Sequence, residues 1–280
     1  MTIDNYINGV NFQRVADFVI DRLMPVSEWD ILINKIKDKR KAIIWCKTDY
    51  APYLFTMLQN VRGSYYTLIT HCSDYGITKD FFDAAPDCIY KWFAQNVDYS
   101  DSDLIPIPIG VENHTGPSKG TCIDVDFLGS FLPPAQRAET IYCNFSTNTH
   151  SSRPAVLHAL QQQPMNTCVF DSGKSYSQYM TNMRRCQYVA SPRGNGIDCH
   201  RTWEALYMGC VPIVDRHPMY DAYKLPIIQV DKWDDIHEVV AAYKQPVLTS
   251  NDQLHIAYWL KLIKDLHNGD IEYNNGDIIE

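Results

Sequence analysis

Two patterns of hydrophobic positions alternate along most of this chain. Short apolar runs rich in β-branched and aromatic residues predict buried strands, and longer runs with apolar residues three and four apart predict amphipathic helices. The clearest predicted strands are KAIIWCK (41–47), YYTLITH (65–71), DCIYKWFAQN (87–96) and QYVAS (187–191). Polar loops follow these runs and lead into helical stretches. Such an alternation is typical of parallel sheets covered by helices.

The same alternation occurs twice, and the segment ENHTGPSKG (112–120) separates the two halves. We therefore predict an α/β fold of two Rossmann-like domains, 1–118 and 119–280, whose parallel sheets face each other across a cleft. Ligands of such sheets bind at the carboxyl ends of the strands. The first 40 residues, including 12–23, are predicted to be helical. Prolines in LIPIPIG (104–110) indicate an edge strand or a connector, and the polar end (268–280) is expected to be frayed.

Composition limits the class of protein. The 280 residues carry a formal net charge of −8, so only the local basic segments NKIKDKRK (34–41) and NMRRC (182–186) would attract nucleic acid. No apolar run approaches the ~20 residues of a membrane span, and the N-terminus lacks the pattern of a signal peptide. Nine cysteines without a C-x-x-C pair favour a reducing compartment. We expect a cytoplasmic protein of a bacterium or a virus-infected host cell.

The segment SPRGNGIDCHRTWEALYMGCVPIV (191–214) is the strongest candidate for a binding site. Its loop precedes a predicted helix that starts after Asp198 as N-cap and ends before Gly209. Backbone N–H groups at a helix start, with Arg193 and Arg201 beside them, suit a phosphate group. Glu204, one turn into the helix, suits the paired hydroxyls of a ribose. The alternative is a plain cap with a surface Arg201–Glu204 pair and no ligand.

This segment resembles the donor-binding segment of GT-B glycosyltransferases, most closely the exostosin-like group. The matching residues are Arg201, Glu204, Ala205, Leu206, Gly209, Pro212, Ile213 and Val214. DFLGS (126–130) and SSRPAVLHAL (151–160) resemble the elements that open the same domain. The chain departs from the group in showing no membrane anchor or stem and in being short for it.

The resemblance implies a role for each matching position. Glu204 would bind the donor ribose, while Arg201 and the 193–198 loop would face the diphosphate. The loop residues concerned are Arg193, Asn195, Gly196 and Asp198. Ser130 and Arg153 are further candidates for the same pocket. Tyr179, with Tyr176, is a candidate for stacking on the nucleotide base.

Sugar transfer with inversion, which only the resemblance implies, also needs a general base. We expect it at a strand end of the N-terminal half. Asp74 is favoured, because its loop follows a clear strand and contains Gly76 for a tight turn, with His71 next and Asp49 a third candidate. Each aspartate could equally be a turn or capping residue. Glu112 and His114 are weaker candidates.

The predicted activity is transfer of a sugar from a nucleoside-diphosphate sugar, with UDP as the expected nucleotide, to an acceptor hydroxyl. Neither a metal nor another cofactor is expected. The acceptor would be a glycan or a hydroxymethylated DNA base. Two alternatives stay open. The D-x-D pairs Asp101–Asp103 and Asp124–Asp126 suggest a metal-dependent GT-A enzyme. The other is a nucleotide-sugar-binding protein without catalysis.

Overall fold

The computed structural model describes residues 5–113, 137–244, 252–274 and 277–279. It divides into two compact units. The N-terminal unit comprises Asn8–Ile109 together with Ile256–Glu280, and the C-terminal unit comprises Met1–Ile7 together with Gly110–His255. No helix within the described ranges is long and apolar enough to cross a membrane.

The N-terminal unit is built on a five-stranded parallel sheet in the order β1-β2-β3-β4-β5. Its strands are β1 (Phe18–Ile20), β2 (Lys41–Lys47), β3 (Tyr65–His71), β4 (Ile89–Ala94) and β5 (Leu104–Pro106). Helix α1 (Gly9–Phe12) precedes β1, and helices α2 (Val26–Lys37), α3 (Ala51–Leu58) and α4 (Lys79–Asp83) lie between the strands in sequence. Ala42 to Cys46 of β2 are all buried, as in a central strand covered on both faces.

The helix predicted over 12–23 is wrong. Helix α1 ends at Phe12, and Phe18–Ile20 forms β1, which pairs in parallel with β2. Apolar residues at helical spacing fit either structure in so short a run, and pairing with β2 buries Ile20. The edge position expected from the prolines of 104–110 is confirmed, because β5 pairs only with β4 among the described strands.

The C-terminal unit has its own five-stranded parallel sheet, in the order β10-β9-β8-β6-β7. The strands are β6 (Ala138–Cys143), β7 (Cys168–Phe170), β8 (Cys186–Ala190), β9 (Val211–Asp215) and β10 (Ile228–Val230). The helices are α5 (Arg153–Gln161), α6 (Tyr176–Met183), α7 (His200–Tyr207) and α8 (Ile236–Ala242). The predicted class, α/β with two Rossmann-like parallel sheets, is confirmed.

The end of the chain differs from the expected division at 118/119. Helix α9 (Ile256–Asn268) belongs to the N-terminal unit, where it packs against β4 and α1. The Tyr90 hydroxyl donates to the His267 carbonyl at 2.6 Å. After α9 comes a hairpin of β11 (Glu272–Asn274) and β12 (Asp277–Ile279), where a frayed end was expected. Burial of the apolar stripe of α9 is what returns this segment to the first sheet.

Candidate nucleotide-binding site

The sheet order of the C-terminal unit places two loops side by side. Strand β6 lies between β7 and β8, so the connections leaving β6 and β8 go to opposite sides of the sheet. Such a switch point is where open parallel sheets bind ligands. The loop after β6 runs from 144 to 152, and the loop after β8 runs from 191 to 199. The second of these is the loop that the sequence singled out.

Arg153 links the two loops through hydrogen bonds to their backbone carbonyls. Its side chain is buried, and its Nε donates to the Arg193 carbonyl at 2.7 Å. Nη1 donates to the Ser146 carbonyl at 2.7 Å, and Nη2 donates to the Pro192 carbonyl at 2.9 Å. Burial lowers the pKa of this guanidinium. The donors of Arg153 therefore hold the backbone of both loops.

Further contacts fix the 191–199 loop. The Arg193 N–H donates to Asp215 Oδ2 at 2.8 Å, and Asp215 Oδ1 accepts from Trp233 Nε1 at 2.7 Å. A Cβ at Gly194 would lie 3.3 Å from Arg153 Nη2, which leaves little room for a side chain. Asp215, at the end of β9, is a functional candidate that the sequence analysis missed. The sequence feature that could have identified it is a polar residue at the end of a strand that neighbours β8.

Several buried donors in these loops and in the first turn of α7 have no hydrogen-bond partner among the described residues. They are Nε of Arg193, Nε and Nη1 of Arg201, and Oγ1 of Thr149. The guanidinium groups of Arg201 and Arg153 also lie over the Phe145 ring, at 5.8 and 5.6 Å from its centre. Buried polar groups in folded proteins are nearly always paired. The two arginines with spare donors are therefore candidate ligands for an anion at these loops.

The start of α7 differs from the prediction in one respect. The N-cap is Cys199 rather than Asp198, and it makes no side-chain cap hydrogen bond. Asp198 is buried, with Oδ2 accepting from Trp203 Nε1 at 2.8 Å and Oδ1 accepting from the Cys199 N–H at 2.9 Å. The buried indole needs an acceptor, which turns this carboxylate toward the core. The predicted C-terminal glycine is confirmed, because Gly209 follows the C-cap with φ +71°.

Glu204 is 8% exposed and is held by two tyrosines of α6. The Tyr179 hydroxyl donates to Oε2 at 2.7 Å, and the Tyr176 hydroxyl donates to Oε1 at 3.2 Å. Burial raises the pKa of Tyr179 well above its usual value, and the charge of Glu204 adds to the effect. Tyr179 therefore stays a protonated donor. This arrangement replaces the surface Arg201–Glu204 pair that the sequence left as an alternative.

The remaining predicted ligand residues are less informative. Asn195 is exposed and Gly196 is buried in the same loop. Ser130, Asp124, Asp126 and His114 lie outside the described residues. Thr149 and Phe145, which the structure adds, lie in the polar run NFSTNTH (144–150) after β6. A strand followed by a polar loop was the available signal for them.

The three predicted bases lie in the N-terminal unit, in different surroundings. Asp49 forms an ion pair with Lys47 at 3.4 Å. His71 is buried, its Nδ1 accepts from the Cys72 N–H at 2.8 Å, and its Nε2 lies 3.0 Å from the Pro108 carbonyl. With Nε2 as donor to that carbonyl and Nδ1 as acceptor, both ring nitrogens are engaged in hydrogen bonds, which disfavours His71 as a base. Asp74 is exposed on the loop after β3.

The loop that carries Asp74 is held in place by the residues after β4. Gln95 accepts from the Cys72 N–H at 3.0 Å and donates to the Ser73 carbonyl at 2.9 Å. Asn96 donates to the same carbonyl at 3.1 Å. Cys72 and Asn96 have φ values of +60° and +57°, which side-chain-bearing residues rarely adopt. Strain of this kind persists where surrounding contacts hold the backbone, and it is concentrated at functional sites.

One of the D-x-D pairs lies within the described residues, and its carboxylates have local partners. Asp103 forms an ion pair with Lys91, and Asp101 Oδ1 accepts from the Asp103 N–H at 2.8 Å. This is the arrangement of a turn that leads into β5.

Comparisons with known proteins give distant similarities. No protein-family model matches the chain. A probable glycosyltransferase of Arabidopsis thaliana is 22% identical over 207 residues, which are 69% of this chain and 43% of the relative. The chain thus spans less than half the length of that curated relative.

Two solved structures are distantly similar. The GtfA/B complex matches with a TM-score of 0.41 and 10% identity, over 89% of this chain and 62% of that one. An α,α-trehalose-phosphate synthase (UDP-forming) from Burkholderia vietnamiensis matches with a TM-score of 0.38 and 10% identity, over 89% and 75% of the two chains.

Proposed function

We propose that this chain is a glycosyltransferase of the exostosin-like GT-B group that takes its sugar from a nucleoside-diphosphate donor. The observation that carries the proposal is the cluster of buried donors without a partner among the described residues, on Arg193, Arg201 and Thr149. These donors lie in the loop after β6, the loop after β8 and the first turn of α7. A diphosphate would supply acceptor oxygens for all of them.

The same cluster would serve the chemistry of the reaction. Breaking the bond between the sugar and the diphosphate places negative charge on the leaving group. Fixed arginine donors and the N–H groups at a helix start stabilise such a charge without reorganisation. We therefore propose metal-independent transfer, and we take UDP as the leaving group to be tested first.

Asp74 is our proposed base for an inverting transfer, with Asp49 second. Asp74 is exposed on a loop whose backbone is fixed by Gln95 and Asn96. The acceptor hydroxyl would belong to a glycan or to a hydroxymethylated DNA base.

A nucleotide-sugar-binding protein without catalysis is the second candidate. The observation that favours it is that His71 uses both ring nitrogens and Asp49 is paired with Lys47. Replacing Asp74 by Asn separates the two candidates, because an enzyme with this base loses turnover while a binding protein has none to lose.

The first test is a thermal-shift panel of UDP, GDP, ADP, CMP and NAD, with EDTA or with manganese. A ligand at 100 times its Kd stabilises by about 2.7 kcal/mol, which is readily measured. We expect one nucleoside diphosphate to stabilise the protein in EDTA, and Glu204→Gln to abolish the shift. Glu238→Gln, on the exposed face of α8, is the matched control. No shift with any nucleotide would end the proposal, and a shift that needs manganese would favour the metal-dependent alternative.

Release of UDP from UDP-sugars is the second test. It is run with glycan acceptors and with DNA that carries hydroxymethylated bases. Turnover with one acceptor class identifies the enzyme, whereas binding without turnover supports the binding protein.

A further inference from the structure

The carboxylate of Glu204 has a fixed orientation, because each of its oxygens accepts from a different tyrosine. The two hydrogen bonds are 2.7 Å from Tyr179 and 3.2 Å from Tyr176. The tyrosines are three residues apart on α6 and so project from the same face of that helix. A carboxylate held at both oxygens cannot turn about its own axis without breaking one of these bonds.

Helix α6 is itself firmly anchored. It begins with a capping box formed by Ser175 and Gln178. Asn182 near its end donates to Asp171 Oδ2 at 2.8 Å. The same oxygen accepts from the Tyr142 hydroxyl of β6 at 3.0 Å. The tyrosines therefore reach Glu204 from a helix that is fixed at its start and along its length.

The geometry leaves Glu204 with a restricted capacity for a ligand. Each carboxylate oxygen has two lone pairs, and one on each oxygen is used by a tyrosine. The remaining lone pairs lie in fixed positions on two different oxygens. They suit a ligand that offers two neighbouring hydroxyl donors. A ligand with one hydroxyl would make only one of the two hydrogen bonds that this charged group offers, and a hydrogen bond to a charged group is worth about 1.5–3 kcal/mol.

We propose that Tyr179 and Tyr176 are positioning residues that act through Glu204 to make the site select ribonucleotides over 2′-deoxyribonucleotides. This inference rests on the proposed function, since it takes the nucleotide ribose as the partner of Glu204. Tyr179 contributes more than Tyr176, because its hydrogen bond is shorter. Without the tyrosines, the carboxylate would rotate to meet a single hydroxyl, and the selectivity would fall.

The test measures the Kd values of UDP, 2′-deoxy-UDP, GDP and 2′-deoxy-GDP by calorimetry, for the whole chain and three variants. We expect the unaltered protein to favour the ribonucleotide by about tenfold or more, the scale of one hydrogen bond to a charged group. In Tyr179→Phe this preference should fall below about threefold, with an intermediate value in Tyr176→Phe. Tyr66→Phe is the matched control, since it also loses a buried tyrosine hydrogen bond, to the Ile36 carbonyl at 3.0 Å, and leaves α6 and Glu204 untouched.

The outcomes separate the two claims. A Tyr179→Phe protein that binds nucleotide with undiminished preference overturns this inference and leaves the proposed function in place. An equal loss of preference in Tyr179→Phe and Tyr66→Phe also overturns it, because the cause is then general loosening. If the unaltered protein binds none of the four nucleotides, the proposed function fails and this inference fails with it. Should Tyr179→Phe not fold, the decision rests on Tyr176→Phe.

Discussion

Replacing Arg201 with methionine should change the stability of the protein and its affinity for nucleotide in opposite directions. The guanidinium of Arg201 has two buried N–H groups without a partner among the described residues, at Nε and Nη1. If these N–H groups bind a ligand, they lower the stability of the protein when that ligand is absent. Methionine fills a similar volume and carries no donor. Arg201→Met should therefore stabilise the free protein and abolish nucleotide binding.

The magnitudes follow from the contacts. Each unpaired buried donor costs about 1–3 kcal/mol. The variant also loses the contact of the Arg201 guanidinium with the Phe145 ring, which is about 1 kcal/mol. The free energy of unfolding without ligand should thus rise by about 1 kcal/mol or more. Two charge-assisted hydrogen bonds to phosphate, at about 1.5–3 kcal/mol each, correspond to a Kd for UDP that is at least about a hundredfold weaker.

The assay is urea unfolding with and without UDP, alongside calorimetric binding. Arg153→Met is the matched control, because this arginine lies over the same ring and uses its donors on three carbonyls. Its removal should destabilise the free protein by about 3 kcal/mol or more, since those carbonyls lose their partner. An Arg201→Met protein that is less stable than the original and binds UDP normally would refute the reasoning.

Three further predictions concern the backbone, the base and the pH response. Gly110→Ala should destabilise the protein by more than about 3 kcal/mol. Gly110 has φ +66°, and a Cβ on it would lie 2.0 Å from a carbonyl oxygen. Gly63→Ala, at φ +74° in open space, should cost only about 1–2 kcal/mol in the same urea assay. Asp74→Asn should lower kcat with little change in Tm, whereas His71→Asn should lower Tm by disrupting buried hydrogen bonds. A normal kcat and a lowered Tm in Asp74→Asn would exclude Asp74 as the base. Burial lowers the folded-state pKa of His267 below 6.5, so the unfolded chain takes up the proton first as the pH drops. The free energy of unfolding should therefore fall as the pH drops through about 6.5. His267→Gln should flatten that slope in urea titrations between pH 7.5 and about 5.

The positions of most elements could be predicted from the sequence, because hydrophobic periodicity reports which faces are buried. Strands β2 and β3 coincide with the apolar runs KAIIWCK and YYTLITH. Strand β1 could not be predicted, since three residues of ambiguous spacing became a strand only by pairing with β2. The position of α9 could not be predicted either, because its apolar face does not identify the sheet against which it packs.

The candidate site shows the same division. The sequence by itself determined the loop before α7 and the residue types in it, because a strand, a polar glycine-containing loop and a helix start form a local unit. Only the tertiary structure decided what each side chain does. It turned Asp198 toward a buried indole, engaged Arg153 on loop carbonyls and left Arg201 with unpaired donors. Those outcomes depend on partners far away in the chain, and no local pattern carries that information.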